Sequence, residues 1–169
     1  MSAQLPPPKV DDKTINLTTA NQLQVKATPK QFAALAADYT TSSTADLSSG
    51  SGVTIVAAGS SIEVRGSAVT SGDTLGDGVT FSIYRSIVSV PTQTTAPSGG
   101  DVAVYVSVNS VTVAALVEGV GFDFVDTGLV IGKTYYYYST VSAITGGNAT
   151  LKGTNTGKNQ STLIAENSA

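Results

Sequence analysis

Asp123 and Asp126 in "GFDFVDTG", and Asp73 and Asp77 in "SGDTLGDG", are the residues whose type and spacing come nearest to chemistry. A pair of carboxylates can hydrolyse a glycosidic bond when the two face each other across a cleft with a ring to hold the sugar. Here Asp123 alternates with Phe122 and Phe124 on the polar side of a predicted strand, and Asp126 opens the turn that follows. The chain has no tryptophan, the usual sugar platform. Asp73 and Asp77 have a thin likeness to a calcium loop, but calcium wants six to eight oxygens. Two aspartates beside a glycine make a good hairpin turn without an ion. A serine nucleophile needs a base. With no histidine and no cysteine in the chain only a Ser–Lys pair remains, and no Ser-x-x-Lys occurs. "SGSGVT" and "PSGGD" lack the Lys-Ser/Thr ending of a phosphate loop. Lys152 and Lys158 sit in turn-rich surroundings and read as solubility charges. The expectation is a protein that is not an enzyme, with no metal and no cofactor.

The composition bounds the alternatives. Of 169 residues, 41% are apolar and 12% charged, and the net charge is −3. That share of charge is about half the usual one, so serine, threonine and glycine must cover much of the surface. Such a surface suits close packing against copies of the chain or a larger assembly, and suits secreted β-proteins as well. The basic residues are scattered apart from Lys9 and Lys13, so there is no basic face to displace counterions from nucleic acid and no polybasic footprint for a membrane. The apolar runs are far shorter than a spanning helix. The opening "MSAQLPPPKV" has neither the charged leader nor the apolar core of a signal peptide, which predicts a chain that stays on the cytosolic side.

The elements that would position these groups are strands almost throughout. Residues 1–38 read as an arm, a hairpin and a linker, and residues 39–169 as the main domain. Pro6, Pro7 and Pro8 favour an extended polyproline segment, either a free tail or an arm ordered on a partner. In "TINLTTANQLQVKA", Ile15 and Leu17, then Leu23 and Val25, alternate with polar residues around Ala20-Asn21-Gln22, a hairpin pattern. "TPKQFAALAADY" fits one or two helical turns, with Pro29 in the first turn and Phe32, Leu35 and Ala36 on one face, and equally fits an extended linker. From Tyr39 onward, eight or nine short strands with no helix between them predict an all-β antiparallel sandwich or jelly roll. Val53 and Ile55, Ile62 and Val64, and Val79, Phe81 and Ile83 alternate with polar residues. The four valines 102–108 do so against Ala103, Tyr105 and Ser107. The loop "SVPTQTTAPSGGD" (89–101) is the longest apolar-poor stretch. It is either a crossover or a ligand loop, with Pro91, Thr92, Gln93 and Asp101 as its candidate contacts.

"KTYYYYSTVSA" poses the sharpest structural question. Strand alternation sends Tyr135 and Tyr137 to one face and Tyr136 and Tyr138 to the other, so both faces carry rings. Either pair can be the core pair. The second pair then packs against another copy, or lies on a solvated or loop-covered face.

The stretch from Tyr39 to Arg85, with "GVTIVAAG", "IEVRG" and "GVTFSIYR", resembles the opening strands of jelly-roll domains in phage structural proteins. "FDFVDTGLVIGKTYYYY", "GGNAT" and "STLIAEN" are similar to the closing strands of those domains. The architecture resembles the tumour-necrosis-factor-like jelly roll, which is trimeric, and the likeness covers about residues 39–167. "DDKTINLTTANQLQVKA" looks like the segment that precedes the trimeric shaft or head of fibre and spike proteins. The resemblance implies a homotrimeric head fibre, decoration protein or short tail spike, a virion component assembled in the host cytoplasm. Its partners would be itself and a capsid or other virion protein. Leu5, Pro6, Pro7, Pro8, Ile15, Leu17, Leu23 and Val25 would dock on the particle, and Tyr135, Tyr136, Tyr137 and Tyr138 would supply the trimer interface. The alternatives are a glycan-binding receptor-recognition module using loops 71–78 or 89–101, and a fibronectin-like repeat of a surface protein, drawn from "GLVIGKTYYYYSTVSA".

Overall fold

Valine, isoleucine and threonine dominate the strand-forming stretches, and their branched side chains favour extended backbone. In the computed structural model, which describes residues 15–17, 23–25, 30–73, 78–110, 117–145, 147–153 and 160–168, they form twelve strands. In chain order these are β1 Ile15–Leu17, β2 Leu23–Val25, β3 Lys30–Ala34, β4 Tyr39–Thr41, β5 Leu47–Val56 and β6 Ser61–Gly72. There follow β7 Gly78–Ser86, β8 Val102–Ser110, β9 Glu118–Thr127, β10 Thr134–Ala143, β11 Ala149–Leu151 and β12 Thr162–Asn167. Strands β1 and β2 pair with each other as a hairpin, Ile15 opposite Val25 and Leu17 opposite Leu23.

The other ten make an antiparallel sandwich. One sheet has the order β5-β10-β7-β8. In the other, β6 is flanked by β9 on one side and by β12 and β11, placed end to end, on the other. β3 then pairs with β12, and β4 with β11. Each sheet is therefore four positions wide, and the predicted jelly roll is the observed fold. The helical option for residues 28–39 is not taken: Lys30–Ala34 is an edge strand. Phe32, Leu35 and Ala36 match a helical spacing, but Phe32 faces outward opposite Ile164 while Leu35 is buried in the core. Pairing with β12 offers five residues a hydrogen-bonded partner, which one or two isolated turns cannot match. The sandwich therefore begins at Lys30, ahead of the boundary placed at residue 39.

The core lies between the sheets. Val53, Ile55, Val79, Phe81, Ile83, Tyr137 and Val141 from one meet Ile62, Val64, Leu151, Leu163 and Ala165 from the other. Between β8 and β9, Tyr105 closes the side of the sandwich, stacked on Phe124 at 5.7 Å and tilted against Phe122 at 5.3 Å. A register shift between Ile83 and Tyr84 places Tyr105 on the core side and leaves Val106 and Val108 outside. Gly66 in β6 shows how tightly the second sheet is packed: a Cβ there would meet the Thr162 carbonyl oxygen at 2.1 Å and Phe122 at 2.8 Å.

The connectivity defines two ends. Lys30, Val56, Ser61, Ser86, Val102, Thr127, Thr134 and Asn167 all lie at the one we term proximal, tied together by Asn167 Nδ2 donating to the Val56 carbonyl at 3.0 Å and Leu129 N to Ser60 O at 3.0 Å. Leu47, Gly72, Gly78 and Ala143 lie at the distal end.

Candidate functional site

Tyr135 and Tyr137 point into the core, where Tyr137 is 0% exposed. At the proximal end of the core they meet a charged pair. Arg85 continues the inward row of Val79, Phe81 and Ile83, and its Nη1 donates to both oxygens of Asp126, at 2.7 and 2.9 Å. The Tyr137 hydroxyl donates to Asp126 Oδ2 at 2.7 Å, and the Arg85 guanidinium lies 5.8 Å from the centre of the Tyr135 ring. Asp126 is thus no turn residue. It is the buried acceptor of a cation and a phenol, and it holds β9 to β7 and β10. Asp123, by contrast, is exposed on the opposite face of β9. The two carboxylates do not converge.

Tyr138 points outward and is nevertheless 0% exposed. Its cover is the chain's own segment between β7 and β8. That segment leaves Ser86, crosses the outside of β10 and β5, and returns to Val102. Its backbone pairs with β5, Thr94 N donating to Ser48 O at 2.9 Å and Ser48 N to Thr95 O at 2.9 Å, while Ser48 Oγ donates to the Pro91 carbonyl at 3.1 Å. Thr94 takes a φ of 70° to achieve this, a strained value for a β-branched residue. Gly52 is the floor on which Val90 rests: a Cβ there would lie 2.7 Å from Val90 and 2.6 Å from the Tyr137 carbonyl. The Tyr138 hydroxyl donates to Asp101 Oδ2 at 2.8 Å, and its ring stacks on Tyr84 at 5.8 Å. Of the four tyrosines offered as interface residues, Tyr135 and Tyr137 belong to the core and Tyr138 lies under a loop of the same chain. Only Tyr136 keeps a part-exposed ring.

The candidate ligand loop is the covering segment itself. Asp101 is engaged by Tyr138 and by Ser98 N, and Pro91 by Ser48. Thr92 and Gln93 stand exposed over a shallow groove shared with Ala33–Ala37. In the other candidate loop, Asp73 accepts from Asn148 N at 2.9 Å and Asn148 Nδ2 at 2.6 Å, which fixes one turn against another; Asp77 lies outside the described residues. Further along the covered face, Asp46 accepts from the Tyr84 hydroxyl at 2.9 Å and Ser142 Oγ at 2.7 Å. No group of three or more metal-ligating side chains occurs among the described residues.

These hydroxyl–carboxylate pairs link the fold to pH. Burial, followed by the hydrogen bond to Asp126, pushes the Tyr137 hydroxyl well above its ordinary value. Burial and Asp101 do the same to Tyr138, and burial and Asp46 push Tyr84 up to about 12. Burial pushes the Asp101 carboxyl up, but hydrogen bonds from Ser86, Ser98 and Tyr138 outweigh it and hold the carboxyl below its usual range. The unfolded chain releases tyrosine protons near pH 10 while the folded chain keeps them, so stability falls as pH rises above 10. Asp101 contributes the opposite edge, with stability lost as pH falls through the acid range. Urea denaturation midpoints measured from pH 3 to 11.5 should fall at both ends, and a flat alkaline limb would contradict the buried phenols.

The second sheet presents a different outer face. Lys30, Phe32 and Ala34 of β3, Thr162, Ile164 and Glu166 of β12, Glu63, Arg65 and Ser67 of β6, and Gly121, Asp123 and Val125 of β9 share it by register. Arg65 is its hub, 2.6 Å from Glu63 and 3.1 Å from Glu166. Phe32 is 63% and Val125 55% exposed. Gly121, which carries no side chain on this face, leaves a shallow hollow of about 420 Å³ over the Gly66 backbone between Arg65, Asp123 and Ile164. No signal in the sequence marks this face, because β3 was not legible as a strand.

No protein-family model matches the chain, and no curated protein does either. Among solved structures it is similar to the Eiger TNF of S. frugiperda, with a TM-score of 0.54 at 10% identity over 85% of this chain and 94% of that one. It also matches a chain of the infectious bursal disease virus particle, at a TM-score of 0.44 and 16% identity, covering 96% of this chain and 39% of that one. The chain thus spans about two fifths of the viral one. The likeness to the Eiger structure is one of fold.

Proposed function

We propose that this chain is a non-enzymatic structural protein of a virion, a homotrimeric head fibre or decoration protein of phage type, attached through its N-terminal segment with the jelly roll projecting. One observation carries the self-association: the two sheets differ on their outer faces. Over β5 and β10 the first sheet is roofed by its own 87–101 segment, with Val106 and Val108 of β8 left outside it, whereas the face across β3, β12, β6 and β9 is bare across its whole width. That bare face combines exposed Phe32 and Val125, half-buried Ile164 and a glycine-lined hollow. Apolar side chains beside such a hollow suit a repeated copy. The interface is accordingly assigned to this face rather than to the tyrosine strand. The jelly-roll fold, the sparse charge and the arm ahead of the sandwich support the virion reading, as does the motif likeness to phage jelly rolls.

Light scattering should give three times the chain mass of 17.1 kDa. The double substitution Phe32→Asp with Val125→Arg should give a folded monomer, since both residues are exposed in one chain. The purified protein should co-sediment with its particle, and removal of residues 1–27 should abolish this. A wild-type monomer at micromolar concentration would overturn the proposal. A second reading, glycan recognition, is favoured by one feature: a cleft of about 630 Å³ over the stacked Tyr84, edged by Asp46, Thr80, Pro97, Ser98 and Ser142. Glycan-array binding that disappears in Tyr84→Ala, without particle binding, would select it.

A further inference from the structure

The bare face carries a protrusion and a hollow that one chain cannot fit together. Phe32, Ile164, Arg65 and Asp123 form one row across β3, β12, β6 and β9, each opposite the next. Ala34, Thr162, Ser67 and Gly121 form the next row toward the distal end. Gly121 leaves the hollow open: a Cβ on it would meet nothing nearer than the Gly66 carbonyl oxygen at 4.0 Å. Arg65 does not fill the space. Glu63 and Glu166, one row toward the proximal end, draw its guanidinium the other way, at 2.6 and 3.1 Å. The chain's own Phe32 cannot fill it either. That residue stands three strands from Gly121, about 14 Å at the usual strand spacing, with β12 and β6 between.

A second copy of the chain offers the side chain that fits. The hollow is edged by Arg65, Ile164 and Asp123, so an aromatic ring seated there packs on an aliphatic side chain and lies beside a cation. All four phenylalanines and seven tyrosines are among the described residues, and of these Phe32 alone is exposed, at 63%. The charges match as well. Lys30 stands two residues from Phe32 on the same face, half exposed and 4.0 Å from Glu166. Asp123, beside the hollow, is exposed and has no hydrogen-bond or ion-pair partner among the described residues. Seating Phe32 of one copy at the hollow of another carries a cation toward that carboxylate, and such complementarity fixes the register of a contact.

We infer that Phe32 of one copy seats in the hollow between Arg65, Gly121, Asp123 and Ile164 of the next, in one direction around the threefold. The contact rests on the trimer proposed above. Three copies close only through a heterologous contact, in which each copy gives one patch and receives on another. Phe32 at the rim of the face and the hollow inside it are two such patches. The contact is independent of the residues assigned to particle docking. Of those, Leu5, Pro6, Pro7 and Pro8, and the side chains of Ile15, Leu17, Leu23 and Val25, lie outside the described residues.

Gly121→Leu fills the hollow without disturbing the single chain, since its Cβ has open space and a side chain there suits a strand. In light scattering over a dilution series of the full chain, it should raise the concentration of half-assembly about a hundredfold. In a Phe32→Ala background the same substitution should raise it less than about tenfold, because no ring is left to exclude. A second measurement leaves the hollow intact. With p-benzoylphenylalanine in place of Phe32, irradiation should link chains into dimers and trimers, the linked peptide lying within residues 118–127 or 162–167 of another copy. Unchanged assembly of Gly121→Leu, equal penalties in the two backgrounds, or cross-links confined to one chain or to other strands would each overturn the contact and leave the trimer standing. A wild-type monomer would overturn both.

Discussion

Asp126→Ala should destabilise the sandwich by about 3–5 kcal/mol, the cost of removing one partner from a buried ion pair. The substitution strips Arg85 of both its hydrogen bonds to carboxylate and leaves the Tyr137 hydroxyl buried without its acceptor. The Arg85 side chain is only 22% exposed, so little water can replace the lost partner. The predicted fall in thermal midpoint is about 10–20 °C. Tyr137→Phe is the informative comparison. It deletes one hydroxyl and leaves the ion pair intact, and should cost about 1–2 kcal/mol. Denaturation followed by far-ultraviolet circular dichroism measures both. A loss below about 1 kcal/mol for Asp126→Ala would show that the pair does not anchor β9 to β7 and β10.

The second large effect belongs to Tyr138. Tyr138→Ala removes a fully buried ring, its stack with Tyr84 and the donor to Asp101. Truncation of a large buried aromatic costs about 3–5 kcal/mol. Tyr138→Phe keeps the ring, and Asp101 retains Ser98 as a donor, so about 1 kcal/mol is expected. The location of the damage discriminates as much as its size. The roof over Tyr138 comes from the same chain, so the loss should not depend on protein concentration, and limited proteolysis should cut within residues 87–101 of the Ala variant. A stability loss that vanishes on dilution would return the ring to an interface between copies.

Much of the sandwich is legible from alternation alone. Val53 and Ile55, Ile62 and Val64, and Val79, Phe81 and Ile83 are core residues on the parity their spacing assigns. Three things escaped, each for a physical reason. β3 was hidden because Pro29, Phe32, Leu35 and Ala36 satisfy a helical spacing as well as an extended one, and only the partner strand 130 residues later decides between them. The valine row of β8 did not reveal its facing, since a register shift opposite Tyr84 turns Tyr105 inward and Val106 outward. The Arg85–Asp126–Tyr137 cluster was missed although its signal was present. Each of the three falls on a core-facing parity: Arg85 after Ile83, Asp126 after Phe124, and Tyr137 between Tyr135 and Val141. Charged residues of opposite sign on inward parity in two strands must be partners, because neither can be buried alone. The rings on both faces of β10 leave three options open in the sequence: another copy, a solvated face or a loop-covered one. That the cover is the chain's own 87–101 segment rests on hydrogen bonds between residues some 40 positions apart, which spacing does not encode.

Because Lys30 of the sandwich's first strand and Asn167 of its last lie at the same end, appended tags and cargo have an unequal geometry. A peptide fused after residue 167 would emerge beside Lys30, at the proximal end. Guests meant for display belong at the opposite end, in the short connection between β10 and β11, where they would stand clear of it.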